Sequence, residues 1–198
     1  MTKQANIASQ ISSRICHDLT NPIGAISNGL ELLTLSGAPL SPELSLISES
    51  VGAANAKLQF LRIAFGENHS DSTLAAPTIK NILHNYYAAP HMQVVWNINT
   101  ATSQNDLQLL FLILLCVEKL APYGGQVTLT QKATSHVVTI IGDNLKTSSF
   151  GNLTTHRFLP QDGPALIQFN LAQNQIDQMG YTMILSEAPG KLHITITP

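Results

Sequence analysis

The sequence predicts an α+β protein in two parts, an N-terminal antiparallel helical hairpin that forms a dimeric four-helix bundle and a C-terminal α/β sandwich. Three observations predict this fold. Two long helical patterns, each with a continuous apolar stripe, are separated by only a few helix-breaking residues. From about residue 71 onward, helical and strand-like stretches alternate. The chain has 198 residues, of which 44% are apolar and 11% charged, so it has enough apolar side chains for two cores.

The first helix is predicted over residues 5–36. At about 100° per residue, its apolar side chains form one stripe centred on Ile15. The other members of the stripe are Ile11, Leu19, Pro22, Ile26, Leu30 and Leu33. His17 lies about 200° from Ile15, on a polar face that points to solvent. That face also contains Gln10, Ser13, Arg14, Asn21, Gly24 and Asn28. Proline inside a helix removes one backbone hydrogen bond, so a bend is predicted one turn after His17.

The second helix is predicted to begin after a Gly- and Pro-containing break at residues 36–40. Ser41 is a favoured N-cap and Pro42 a favoured first helical residue, and Gly66 is predicted to cap the other end. The helix carries a heptad seam of Leu44, Ile47, Val51, Ala54, Leu58, Leu61 and Phe65. Further apolar residues widen this surface beyond what one partner helix covers. Two hairpins from two chains are therefore predicted to form a four-helix bundle, which makes the protein a homodimer.

The second part of the chain mixes helices and strands. A polar segment at residues 67–72 separates a predicted domain at 1–68 from a predicted domain at 71–198. The second domain is predicted to have helices at 76–87, 107–121 and 164–179, and strands at 92–98, 126–131, 135–141, 181–186 and 191–197. Residues 144–160 are polar and show no clear period. This order of elements favours a two-layer sandwich with helices on one face of a sheet.

Charge and cysteine usage argue against several classes of function. A net charge of -2 provides no basic surface for nucleic acid. No apolar run is long enough to span a membrane, and the N-terminus lacks an apolar signal segment, so we expect a cytoplasmic protein with no membrane partner. Cys16 and Cys116 have no metal-ligand spacing around them and are predicted to be small core residues. The remaining histidines also show no ligand spacing, so no metal site is predicted.

The residues His17-Asp18-Leu19-Thr20-Asn21-Pro22-Ile23 resemble the H-box of two-component sensor kinases. In that motif the histidine is the phosphoacceptor and lies on the first helix of a dimeric hairpin. The resemblance implies that the C-terminal domain corresponds to the ATP-binding domain of such a kinase, because the order of elements is the same.

The ATP-binding motifs of such a kinase are degenerate in this sequence. Leu112 and Cys116 stand where a kinase has two asparagines, and a leucine cannot hold the magnesium of the nucleotide. The segment Asp143-Asn144-Leu145-Lys146-Thr147 keeps the acid of an Asp-x-Gly-x-Gly box and loses both glycines. Only Gly163 remains of the second glycine-rich box. The comparison therefore implies that no phosphate cradle survives.

A histidine-bearing hairpin joined to a degenerate ATPase-like domain is similar to the alphaproteobacterial histidine phosphotransferases of the ChpT family. The segments 16–18, 29–33 and 62–66 carry the closest resemblance. It implies that His17 accepts a phosphoryl group from the receiver domain of a hybrid histidine kinase and passes it to response regulators. It also implies that the protein uses no ATP and has no cofactor of its own, with Mg²⁺ supplied by the partner receiver domain.

The residue types around His17 fit this chemistry. The neutral form of an exposed imidazole can attack an acyl phosphate in line. Asp18 is predicted to hydrogen-bond the other ring nitrogen and so to orient the ring. Arg14 is predicted to stabilise the charge of the phosphoryl group, and Asn21 either to contact this group or to position a water for its hydrolysis. The predicted partner-binding residues are Ser13, Gly24 and Asn28. Gly24 has no side chain and would let the loops of a partner come close.

Two other functions stay open from the sequence. One is a divergent ATP-dependent sensor histidine kinase, against which the lost asparagines and glycines argue. The other is a non-catalytic dimeric adaptor that binds receiver domains without transfer. Incubating a His17→Gln variant with a phosphorylated receiver tests the phosphotransferase function, since label on the variant would exclude His17 as the acceptor.

Overall fold

The computed structural model describes residues 3–37, 39, 41–66, 72–88, 91–147 and 163–198, and for residues 3–9 the backbone alone. The chain divides into two compact units, Met1–Glu67 and Asn68–Pro198. Apart from Ser72, the boundary segment predicted at residues 67–72 lies outside the described residues. No helix in the described ranges is long and apolar enough to cross a membrane.

The first unit is a helical hairpin of α1, Lys3–Leu35, and α2, Pro42–Phe65. The hydroxyl oxygen of Ser41 accepts a hydrogen bond from the backbone N–H of Leu44 at 3.3 Å, which confirms the predicted N-cap. Gly66 follows α2 and donates its backbone N–H to the carbonyl of Arg62 at 3.0 Å. Its φ of -73° is not left-handed. Glycine is required there for space, because a Cβ would collide with the Arg62 carbonyl oxygen.

Few of the described side chains of the hairpin are buried, and those that are buried are three small residues and one phenylalanine. Cys16 is buried on α1, and Ala56, Phe60 and Ala64 are buried on α2. The apolar stripe predicted on α1 points in another direction, about 100° around the helix from Cys16. The stripe residues Ile11, Ile15, Leu19, Ile26 and Leu33 are between 46 and 54% exposed in the single chain. The apolar stripe of α1 is therefore largely accessible to solvent in the single chain.

The second unit contains three helices and seven strands among its described residues. In chain order these are β1 Thr73–Leu74, α3 Ala76–Tyr86, β2 Met92–Asn97, β3 Thr102–Ser103, α4 Gln104–Leu120, β4 Gly125–Lys132, β5 Ser135–Ile141, a 3-10 turn Pro164–Leu166, α5 Ile167–Met179, β6 Thr182–Ala188 and β7 Lys191–Thr197. Strands β2-β4-β5-β7-β6 form a five-stranded sheet, in which β2 and β4 are parallel and the other neighbours antiparallel. The predicted helices and strands are confirmed within a few residues at each end. The two short strands β1 and β3, which pair with each other, were not predicted.

The core of the second unit lies between the sheet and the helices. Strand β7 shows the alternation of one buried face, with Leu192, Ile194 and Ile196 fully buried between half-exposed neighbours. Helix α4 is buried on almost every side and contributes the largest group of core residues. The predicted α+β class and two-layer sandwich are confirmed. Most of the unpatterned segment at 144–160 lies outside the described residues.

One carboxylate connects three elements of this sandwich. Asp106, in the first turn of α4, accepts hydrogen bonds from the hydroxyls of Ser103 at 2.7 Å and Tyr181 at 3.0 Å. Its Oδ1 lies 3.7 Å from Nε2 of the buried His136 on β5. Burial raises the pKa of Asp106, but the interactions with His136, Ser103 and Tyr181 outweigh burial, and the pKa is lowered overall.

Replacing Asp106 by asparagine should therefore destabilise the protein at neutral pH. Loss of the charge-assisted hydrogen bonds predicts a decrease of about 1–3 kcal/mol in the free energy of unfolding, measured by urea titration at pH 7. A carboxyl group whose pKa is lower in the folded state stabilises the fold above its unfolded pKa, and that stabilisation is lost as the pH falls through the folded pKa. The difference between wild type and Asp106→Asn should therefore shrink below about pH 4.

The matched control is Asp143→Asn, which removes an exposed carboxylate from the same unit. Its effect should stay within about 0.5 kcal/mol. An Asp106→Asn variant as stable as this control at pH 7 would show that the cluster does not stabilise the fold.

Candidate functional site

The candidate site lies in the middle of α1, where the helix continues through Pro22. Proline has no N–H to donate to the carbonyl of Asp18 one turn earlier. The hydroxyl of Thr20 donates to the carbonyl oxygen of Cys16 at 2.7 Å, a local bond that often accompanies bending in helices. The carbonyl groups of Cys16 and Asp18, on either side of His17 in sequence, therefore both depart from the regular helical pattern.

His17, Asp18 and Arg14 form a connected group on the surface of α1. The ring nitrogen Nδ1 of His17 lies 3.2 Å from Oδ1 of Asp18, and Nε of Arg14 lies 2.8 Å from Oδ2 of the same carboxylate. The side chains of Arg14, His17 and Asp18 are 76, 69 and 50% exposed. The structure thus brings together three of the four predicted catalytic residues at a position open to a macromolecular partner.

The geometry defines which nitrogen of His17 is free. An ionised carboxylate can only accept hydrogen bonds, so the neutral ring must carry its proton on Nδ1 to bond Asp18. The lone pair then lies on Nε2, on the side of the ring away from Asp18. The hydrogen bonds from His17 and Arg14 lower the pKa of Asp18, which keeps the carboxylate ionised and able to accept.

The other predicted residues lie along the same helix. Asn21 and Asn28 are exposed, and Ser13 and Gly24 are partly exposed. A Cβ at Gly24 would meet nothing within 4 Å, so the hairpin does not itself require glycine there. Asn21 follows His17 by one helical turn, and the described contacts join it to neither His17 nor Asp18.

The pairing of Arg14 with Asp18 was not predicted. Arg14 was expected to stabilise the charge of a phosphoryl group, whereas its Nε is bound to the carboxylate. The (i, i+4) spacing of an arginine and an aspartate is the signal in the sequence that indicates such a pair.

The two cysteines are both free thiols and both buried, as predicted. Burial raises the pKa of the Cys16 thiol, and the positive charge of Arg62 offsets part of this effect. Burial also raises the pKa of Cys116 well above its ordinary value. Although it is next to His17 in sequence, Cys16 is a core residue of the hairpin.

Of the three positions that the sequence resemblance compares with nucleotide ligands of kinases, two are buried in the second unit and one is exposed. Leu112 and Cys116 are 2 and 0% exposed, within the core side of α4. Asp143 is exposed and is followed by Asn144 in a left-handed conformation with φ of 50°. In the described ranges, no three His, Cys, Asp or Glu side chains are grouped so that they could hold a metal ion.

Comparison with known proteins identifies the family. Residues 76–190 match the family model described as the histidine phosphotransferase C-terminal domain. This match covers more than half of the chain, and the protein therefore belongs to the histidine phosphotransferase family, which acts in phosphorelays. The predicted phosphotransferase function and the predicted resemblance to the ChpT family are confirmed.

Two individual proteins are similar over almost the whole chain. The protein phosphotransferase ChpT of Brucella abortus (strain 2308) is 29% identical over 191 residues, which cover 93% of this chain and 87% of the relative. A bacterial phosphotransferase whose structure was solved at 1.7 Å has a TM-score of 0.65 and 26% identity, covering 99% of this chain and 97% of that one. The histidine kinase AdeS of Acinetobacter baumannii is more distant, with 14% identity and a TM-score of 0.43 over 91% of this chain and 95% of that one.

Proposed function

We propose that His17 is the residue that carries the phosphoryl group in this phosphotransferase. It accepts the group from an aspartyl phosphate on the receiver domain of a hybrid histidine kinase and passes it to an aspartate of a response regulator. The observation that carries the proposal is the 3.2 Å contact between Nδ1 of His17 and Asp18, which leaves an exposed Nε2 as nucleophile.

In the forward step the Nε2 lone pair attacks the phosphorus of the partner's acyl phosphate. The N–P bond forms as the P–O bond to the partner's carboxyl oxygen breaks, and that carboxylate leaves with the bonding electrons. The proton on Nδ1 stays in place, so the phosphorylated ring carries a positive charge beside Asp18. The carboxylate stabilises this charge and holds the ring as the phosphoryl group arrives. Attack by a regulator's aspartate reverses the same events.

Charge stabilisation in the transition state also requires cations near the equatorial phosphoryl oxygens. In the proposal, Mg²⁺ and a lysine come from the receiver domain, and the phosphotransferase has no cofactor of its own. The burial of Leu112 and Cys116 supports a reaction without ATP, because neither side chain offers an oxygen atom to the Mg²⁺ ion of a nucleotide and both lie in the core.

We propose a homodimer in which two hairpins form a four-helix bundle. The exposed stripe of α1 supports it, because monomeric proteins rarely leave such a contiguous apolar surface in water. A groove of about 260 Å³ between the two helices, lined in part by Leu30, Leu33, Leu44 and Val51, offers space for side chains of a second copy. His17 lies about 200° from the stripe and remains open in this arrangement.

The proposed docking face for receiver domains is the polar face of α1. It contains Ser13, Gly24 and Asn28, and the open space around Gly24 supports a close approach by the loops of a partner. The hybrid kinase and the response regulators use this face in turn, because both transfers require access to the same nitrogen. The proposed compartment is the cytoplasm, which two free thiols fit.

The proposal is tested by incubating the purified protein with a phosphorylated receiver domain or with Mg-ATP alone. Label should appear on the protein within minutes with the receiver and should be absent with ATP. Label from ATP alone would identify a divergent sensor kinase. An absence of label from both donors, while the receiver still binds, would identify a non-catalytic adaptor.

A further inference from the structure

The contact between His17 and Asp18 is unusual for neighbours on a helix. Side chains at i and i+1 project about 100° apart, so they do not normally face each other. Asp18 is half-exposed, and a surface carboxylate in water samples several rotamers. Of the two described contacts of Asp18, the one with His17 joins adjacent residues, whereas the one with Arg14 joins residues one helical turn apart. A second interaction is therefore needed to hold the carboxylate toward the ring.

Arg14 provides that interaction. It lies one turn before Asp18, at the (i, i+4) spacing at which helical side chains are true neighbours. Its Nε binds Oδ2 at 2.8 Å, while Oδ1 of the same carboxylate lies 3.2 Å from Nδ1 of His17. The two oxygens thus have different partners, and a carboxylate fixed at Oδ2 has Oδ1 directed to the imidazole.

We propose that Arg14 is a positioning residue, which acts through Asp18 to hold His17 in the tautomer with its proton on Nδ1. This inference rests on the proposed role of His17 as acceptor, and it replaces the direct stabilisation of phosphoryl charge expected for Arg14. The planar guanidinium binds the carboxylate through Nε in a fixed orientation. A lysine would supply the positive charge without this fixed orientation.

The inference is tested first on the resting protein, by the ring ¹⁵N chemical shifts of His17 in its neutral form. Arg14→Gln and Asp18→Asn should each lower the fraction of the Nδ1–H tautomer, and the double variant should match Asp18→Asn. Arg14→Lys should retain an intermediate fraction. An Arg14→Gln spectrum identical to wild type would overturn the inference, and this readout requires no phosphoryl transfer.

The wild type, Arg14→Gln, Asp18→Asn and the double variant are then compared as acceptors from a phosphorylated receiver. Because this ion pair is exposed to solvent and therefore weak, Arg14→Gln should slow transfer only about two- to fivefold. In the Asp18→Asn background the same change should have no further effect. Additive losses would show that Arg14 contacts the phosphoryl group directly and would overturn the inference.

The matched control is Lys57→Gln, which removes one exposed positive charge from α2 of the same hairpin. Its tautomer fraction and transfer rate should equal those of wild type. If wild-type His17 takes no label at all, the proposed function fails, while the tautomer measurement still decides whether Arg14 acts through Asp18.

Discussion

Replacing His17 by glutamine is expected to reduce phosphoryl uptake from a phosphorylated receiver by a factor of about a thousand or more, since removal of a nucleophile eliminates the covalent step itself. Glutamine is similar in size and polar, but its amide nitrogen has no available lone pair. The His17 side chain is 69% exposed and makes its described side-chain contact only with Asp18. The variant should therefore fold and assemble as wild type does, which circular dichroism and light scattering check.

The matched control for this prediction is His84→Gln, which removes an exposed histidine from α3. Its rate of phosphoryl uptake should equal that of wild type. Label on the His17→Gln variant at the wild-type rate would contradict the assignment, because the phosphoryl group would then be carried by another residue.

If the proposed dimer forms, replacing Ile26 by glutamate is expected to leave the protein monomeric at micromolar concentration. Ile26 lies in the middle of the α1 stripe and is 50% exposed in the single chain, so the hairpin itself tolerates a charge there. In the proposed bundle the glutamate is buried against the second copy, and two-fold symmetry places it there twice. An unpaired buried carboxylate costs several kcal/mol, enough to dissociate the interface. Sedimentation or light scattering measures the change.

Leu32→Glu is the control for the stripe. Leu32 is on the same helix and is 66% exposed, but it lies about 100° from the stripe on the outer surface. This variant should remain dimeric. A monomeric wild type at micromolar concentration would contradict the proposed bundle, and so would equal dissociation by the two substitutions.

Much of the hairpin could be predicted from sequence because its signals are local. The stripe around Ile15 has the helical period, and Ser41 with Pro42 gives the start of α2. The reason for Gly66 could not be predicted, since it depends on the close approach of the Arg62 carbonyl rather than on a left-handed φ. The dimer stays a prediction, because the structure of one chain shows that the apolar stripe is exposed but contains no second copy.

In the second unit, regular elements could be predicted and long-range contacts could not. The near-continuous apolar run of α4 predicted a central helix, and alternation predicted strands such as β7. Strands β1 and β3 have two residues each, which is too few to show the alternation of apolar and polar residues that predicts a strand. The cluster around Asp106 joins residues as distant in sequence as Ser103 and Tyr181, so only the fold brings it together.

At the candidate site, the helical period placed His17 on an exposed face, as the structure has it, whereas its role as the phosphoacceptor stays a prediction. The sequence predicted that Asp18 hydrogen-bonds a ring nitrogen of His17, and in the structure Oδ1 of Asp18 lies within hydrogen-bonding distance of Nδ1. The pairing of Arg14 with Asp18 needed the side-chain geometry, because the arginine also has the length and charge to contact a phosphoryl group directly.

The most direct test of the central claim is to locate the phosphoryl group on the wild-type protein. The protein is labelled by a phosphorylated receiver domain in the absence of nucleotide, digested at alkaline pH to preserve phosphohistidine, and analysed by mass spectrometry. We expect a single phosphorylated residue, His17. Phosphate on any other residue, or no phosphate without ATP, would contradict this expectation.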